Sequence, residues 1–101
     1  MGGKYGDKGE AALKGIITVL GKDKVGIIAK VCTYLAERNV NILDISQTIV
    51  QDYFNMMMIV DISQAAKSTE VLVEELQQIG EEIGVEIKLQ HEDIFNIMHR
   101  I

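Results

Sequence analysis

The sequence predicts an α+β sandwich: a four-stranded antiparallel sheet with two helices on one face, followed by a short C-terminal helix. Three observations lead there. Apolar residues run together at Ile16-Ile17-Thr18-Val19-Leu20 and alternate with polar ones over 42–50 and 85–90, which marks strands. Two other stretches, opening near Ile28 and Leu72, repeat their apolar residues at helical spacing. In chain order the elements read β-α-β-β-α-β, two strand-helix-strand halves joined by a hairpin, and right-handed crossovers then put both helices on one face. This is the ferredoxin-like sandwich. A chain of 101 residues holds one such core and buries roughly 60–70% of its unfolded surface, so it needs no metal or disulfide staple.

Residues 1–14 (MGGKYGDKGEAALK) carry glycine and lysine without a sustained apolar period. They read as a mobile arm or an expression remnant, set apart from a folded unit over 15–92. Gly15 to Leu20 is apolar and β-branched, as expected of a central strand covered on both faces. Next comes Gly21-Lys22-Asp23-Lys24-Val25-Gly26-Ile27-Ile28, a strand-to-helix turn in which Gly21 lets the backbone reverse and Gly26 lets it approach something closely. Ile28, Val31, Cys32 and Leu35 form the apolar stripe of the first helix, with Cys32 a small buried hydrophobe rather than a reactive thiol. Asn39 ends that helix in a left-handed cap.

From Val40 to Val50, Leu43, Ile45 and Ile49 point one way while Asp44, Ser46 and Thr48 point the other, a strand with one covered face. Gln51-Asp52 turns into a partner strand, Tyr53 to Ile62, whose Met56-Met57-Met58 run puts apolar side chains on both faces. Ser68 caps a second helix with the stripe Leu72, Leu76, Ile79 and Ile83, and Gly84 ends it. Val85, Ile87 and Leu89 then alternate with Glu86, Lys88 and Gln90 in a fourth strand. Asp93 opens a tail, 93–101, in which Ile94, Ile97, Met98 and Ile101 recur at helical spacing.

Composition narrows the function. A net charge of -5 repels a phosphate backbone, so direct nucleic-acid contact is not expected. No apolar run approaches the roughly 20 residues of a membrane span, so no membrane partner is expected either. A single cysteine and the lack of an apolar leader point to the cytoplasm. The second strand lies at the sheet edge in this topology and the second face of the sheet is bare. A homodimer is therefore expected, with the tail covering part of that face.

Catalytic chemistry finds little support. His91 and His99 stand too far apart, with too few neighbouring ligands, for a metal site, and no Ser or Cys sits in a motif that sets it against a base. Neither catalytic residues, nor a metal, nor a cofactor is expected, and the chain is read as no enzyme. An acylphosphatase of this topology needs an arginine in the first turn, a metal chaperone a Cys-x-x-Cys there, and an RNA-recognition domain aromatics on its central strands; none is present. What remains is the turn. The N–H groups that open the first helix suit a small carboxylate or phosphate with no side chain at Gly26 to block it; the other reading is a glycine kept only for packing.

Gly21-Lys22-Asp23-Lys24-Val25-Gly26-Ile27-Ile28, followed by Asn39-Val40-Asn41-Ile42-Leu43-Asp44-Ile45, resembles the ACT domain pattern: G-x-D-x-x-G-[IL] opening the first helix, then N-[IV]-N-I entering the second strand. The likeness runs from about Gly15 to Leu89, and the closing Phe95-Asn96-Ile97-Met98-His99-Arg100-Ile101 is similar to small stand-alone members related to the glycine cleavage system regulator. The resemblance implies a regulatory, non-catalytic domain that binds an amino acid or similar small anionic metabolite between two subunits. It also implies the contacts: Asp23, Gly26 and Ile27 from the turn, with Asn41 and Ile42 opposite. Lys22 and Lys24 replace the arginine-proline often found in such turns, which implies a less rigid loop and a different ligand preference. Some members only dimerise, so a structural dimerisation module without ligand is the alternative.

Overall fold

The computed structural model describes residues 13–22 and 25–91. The expected elements follow in the expected order: β1 (Lys14–Lys22), α1 (Ile27–Glu37), β2 (Asn41–Val50), β3 (Tyr53–Asp61), α2 (Thr69–Ile83) and β4 (Val85–His91). They build one antiparallel sheet in the order β2-β3-β1-β4, the ferredoxin-like arrangement, with β2 and β4 at its edges. The arm over 1–12 and the tail over 93–101 lie outside the described residues.

Period-two patterning fixes the core. Ile17 and Val19 of β1, Phe54, Met56, Met58 and Val60 of β3, and Val85, Ile87 and Leu89 of β4 are buried on one face, beneath Val31 and Leu35 of α1 and Leu72 and Leu76 of α2. Met57 points to the other face, so the methionine run does serve both. Caps and turns fall where the sequence places them: Asn39 at φ 60° and Gly84 at φ 79° end the helices, and Gln51 at φ 56° makes the hairpin turn without a glycine. Ser68 caps α2 by accepting from the Val71 N–H at 3.4 Å.

Four expectations are corrected. Gly21 is no turn residue: β1 continues through it to Lys22, pairing Gly21 with Phe54 and Val85. A Cβ there would lie 2.8 Å from the Val85 side chain, so this glycine serves close approach within the sheet. The buried stripe of α1 is Ile27, Val31, Tyr34 and Leu35; Ile28 is exposed and Cys32 half-buried against the core. The rotation toward Tyr34 has a cause, since its hydroxyl donates to Glu75 Oε1 on α2 at 2.6 Å and a satisfied phenol can be buried. Arg38 Nε donates to the same oxygen at 3.0 Å, with its guanidinium 4.9 Å from the Tyr34 ring centre, and this clasp ties the two helices together.

The third correction concerns β2, which is covered on neither face: Leu43, Ile45, Ile49 and Val50 are all exposed, and only Ile42 packs against the core. A β-bulge between Ile42 and Asp44 makes Leu43 an extra residue. Ile45 and Ile49 therefore sit opposite Met58 and Phe54 on the helix side, out of phase with Leu43, and α1 does not reach over them. The fourth concerns Gly26, whose surroundings belong with the site.

Candidate functional site

Gly26 heads α1 at φ 90°, a left-handed conformation that a side chain would strain. Of the two expected readings, packing is not supported, because among the described residues a Cβ built there would meet nothing within 4 Å. The freedom is spent on aiming the chain into the helix. Its carbonyl accepts the Lys30 N–H at 2.9 Å, as the first bond of the helix requires. Among the described residues no side chain caps α1, and no acidic residue stands in its first turn. The opening N–H groups thus have no side-chain acceptor among the described residues, and the positive end of the helix dipole is not neutralised by its own first turn.

Ile27 is deeply buried, so its side chain anchors the head of the helix in the core and only its backbone N–H is available to a ligand. Asn41 and Ile42 divide in the same way at the other half of the predicted site. Ile42 packs against the core opposite Val60, whereas Asn41 is exposed at the first position of β2. Asp23 lies outside the described residues.

These halves do not meet within one chain. Gly26 follows the Lys22 end of β1, while Asn41 pairs with Asp61, which pairs with Lys14 at the opposite end of β1. The 11 residues of α1 separate them, a length of about 16 Å. They also open into different clefts. Gly26 borders one of about 450 Å³ that includes Lys30, Glu37 and Ile79. Asn41 borders another of about 420 Å³ with Asn39, Asp61 and Gln64.

The second cleft holds polar residues that the sequence reading missed. Asn39 donates its side-chain N–H to the Gln64 carbonyl at 2.9 Å, and Asp61 Oδ1 accepts from the N–H and hydroxyl of Ser63 at 2.9 and 2.7 Å. Partial burial pushes the Asp61 carboxyl upward, but the Ser63 hydrogen bonds and the Lys14 charge outweigh it and hold the group below its ordinary value. Asn39, Asn41, Gln64 and the Asp61 carboxylate give this cleft a polar lining with one negative charge, opposite in sign to the positive end of the helix dipole at Gly26. Only the β2–β3 register reveals Asp61 as a neighbour of Asn41. Among the described residues no three His, Cys, Asp or Glu side chains gather where they would hold a metal, and no helix is long and apolar enough to cross a membrane.

Comparison with known proteins agrees with this architecture. Residues 15–90 match the ACT domain pattern. A UPF0237 protein of Bifidobacterium longum is 60% identical over 88 residues, 87% of this chain and 98% of its own. The solved ACT domain protein from Streptococcus pneumoniae superposes with a TM-score of 0.73 at 44% identity, over 83% of this chain and 94% of that one. A protein assigned as a glycine cleavage system transcriptional repressor superposes at 0.65 with 20% identity, over 79% of this chain and 46% of that one, a likeness of fold alone. The element order, the glycine turn at the head of α1 and a match over about three quarters of the residues converge, and the chain belongs to the ACT domain family.

Proposed function

We propose that this chain is a non-catalytic sensor that binds an amino acid or similar small anionic metabolite between two copies of itself and passes the occupancy to a regulated partner. ACT domains are regulatory ligand-binding domains, which supports the class of function. The observation that carries the finer reading is the separation of the two half-sites by the length of α1, one suited to a carboxylate and the other to an ammonium or amide. A single ligand spans both only if the Gly26 end of one chain faces the Asn41 end of another. The uncovered edge strand β2, with its exposed Ile45 and Ile49, supports pairing with a second copy. In this reading the Gly26 and Ile27 amides of one chain hold the carboxylate, Asp23 of that chain and Asp61 of the other share the ammonium, and Asn41, fixed by the packing of Ile42, supplies a donor and an acceptor beside Asp61. Bridging two chains gives the ligand different contacts in different relative orientations of the pair, which regulation requires.

The test is a thermal-shift screen of the twenty amino acids, where a ligand at a hundredfold excess over Kd adds about 2.7 kcal/mol of stability. Gly26→Ala and Asn41→Ala are each expected to abolish the shift. Mixing the two variants through an unfolding and refolding cycle should restore about a quarter of the seats, since half of the randomly formed pairs are mixed and each mixed pair has one intact seat. A mixture that recovers nothing places any site within one chain. Flat melting curves with every amino acid would favour the structural dimerisation module.

A further inference from the structure

Ile16 is buried on the side of the sheet that α1 and α2 do not cover. Its neighbours Gly15 and Ile17 face the helices, while Ile16 faces away, with Ile59 opposite it on β3 and Gln90 on β4. It is nevertheless 5% exposed, and it stands outside the main core cluster. Flanking strands do not account for this, because Met57 on the same face is also flanked on both sides and is 37% exposed. Exposure on this face climbs further along the strands, to 50% at Leu20 and 55% at Tyr53. Cover is therefore concentrated at one end of the face.

That end is where β4 stops. His91, the last residue of β4, pairs with Gly15 immediately beside Ile16, and ten residues follow it. Within them Asp93 can cap a helix, and Ile94, Ile97, Met98 and Ile101 fall on one stripe. A nine-residue helix over 93–101 is about 13 Å long, enough to cross from β4 over β1 to β3, which is two strand spacings or about 10 Å. We infer that residues 93–101 dock as an amphipathic helix across the helix-free face of the sheet, setting their apolar stripe on Ile16 and Ile59. The docked segment occupies the surface that face-to-face stacking of two sheets would need and directs association to the β2 edge.

The test uses the full chain with a nitroxide attached at Arg100→Cys, off the apolar stripe, in a Cys32→Ser background, and with isotope-labelled Ile and Met methyl groups. The expected result is strong paramagnetic broadening of the Ile16, Ile59 and Met57 methyls, and its loss when Ile97→Asp and Met98→Asp are added while the other methyl shifts stay in place. Broadening centred instead on Ile79 or Ile87, or none beyond that caused by free nitroxide, overturns the inference. A sample mixing spin-labelled chains without isotopes and isotope-labelled chains without nitroxide separates the sources. Broadening that persists in this mixture means that the tail of a second copy covers the face, which also overturns the proposal.

Discussion

Gly80→Ala sets two opposing effects against each other in the last turn of α2. Alanine is favoured over glycine inside a helix by about 1 kcal/mol, so propensity alone predicts a more stable protein. Packing predicts the reverse. The added Cβ would lie 2.6 Å from the Val85 carbonyl oxygen and 3.2 Å from Ile87 Cγ1, where ordinary contact starts at 3.4 Å. The carbonyl belongs to the β4 backbone and cannot rotate away, so α2 must retreat by about 0.8 Å, the difference between 3.4 and 2.6 Å. Leu72 and Leu76, fully packed beneath α2, retreat with it and lose close contacts. Overpacking costs about 1–3 kcal/mol, and a contact with fixed backbone falls in the upper part of that range, about 2–3 kcal/mol, leaving a net loss of about 1–2 kcal/mol after the propensity gain of about 1 kcal/mol. Urea unfolding followed by circular dichroism, at one fixed chain concentration because association adds to stability, measures the difference directly. The melting point should fall by roughly 4–8 °C for each kcal/mol lost. A variant as stable as the parent, or more so, would show that α2 does not rest on β4 at Gly80 and would refute the packing reasoning.

The helix clasp predicts a pH signature. Hydrogen bonds from Tyr34 and then Arg38 hold the Glu75 carboxyl below its ordinary value of 4.5, so the folded state favours the carboxylate; the stability this adds is fully present above 4.5 and is lost as pH falls through the lower, folded value. The stability gap between the parent and Glu75→Gln should be steady at neutral pH and close as acid is added below about 4.5; a gap that persists after the carboxyl is protonated assigns the effect to something other than its charge. Tyr34→Phe should cost roughly 0.5–1.5 kcal/mol by chemical denaturation, because burial and then the bond to Glu75 keep this phenol protonated, raising it well beyond the usual range, and its hydroxyl donates throughout. Ile45→Lys, at an exposed position on β2, should leave single-chain stability within about 0.5 kcal/mol while weakening self-association in sedimentation; unaltered association would move the interface away from β2.

Much of the fold was legible because its signals are local. Phe54, Met56, Met58 and Val60 alternate without interruption, and Asn39, Ser68 and Gly84 each carry side-chain or backbone chemistry that ends or opens a helix regardless of what lies elsewhere. The errors arose where distant residues decide. Leu43 looks in phase with Ile45 until the β3 register shows it to be supernumerary, and nothing in the local sequence marks the bulge. Tyr34 enters the core in place of Cys32 because Glu75, 41 residues away, receives its hydroxyl. Gly21 and Gly26 exchanged roles for a similar reason, since close approach depends on Val85, far along the chain. Of the candidate site, Gly26, Ile27, Asn41 and Ile42 were identifiable as a pattern. Asp61 was not, because its place beside Asn41 exists only once β2 and β3 are paired.

The span of α1 has a consequence for dose response. If the receptor is assembled from opposite ends of two partners, as proposed, an isolated chain would be blind to its metabolite, and at low abundance the number of functional receptors would grow with the square of chain concentration. Such a twofold pair would also close two identical seats at once, so a molecule that stiffens the first seat would lower the ordering cost of filling the second. Expression level and metabolite level would then act together as inputs to one signal.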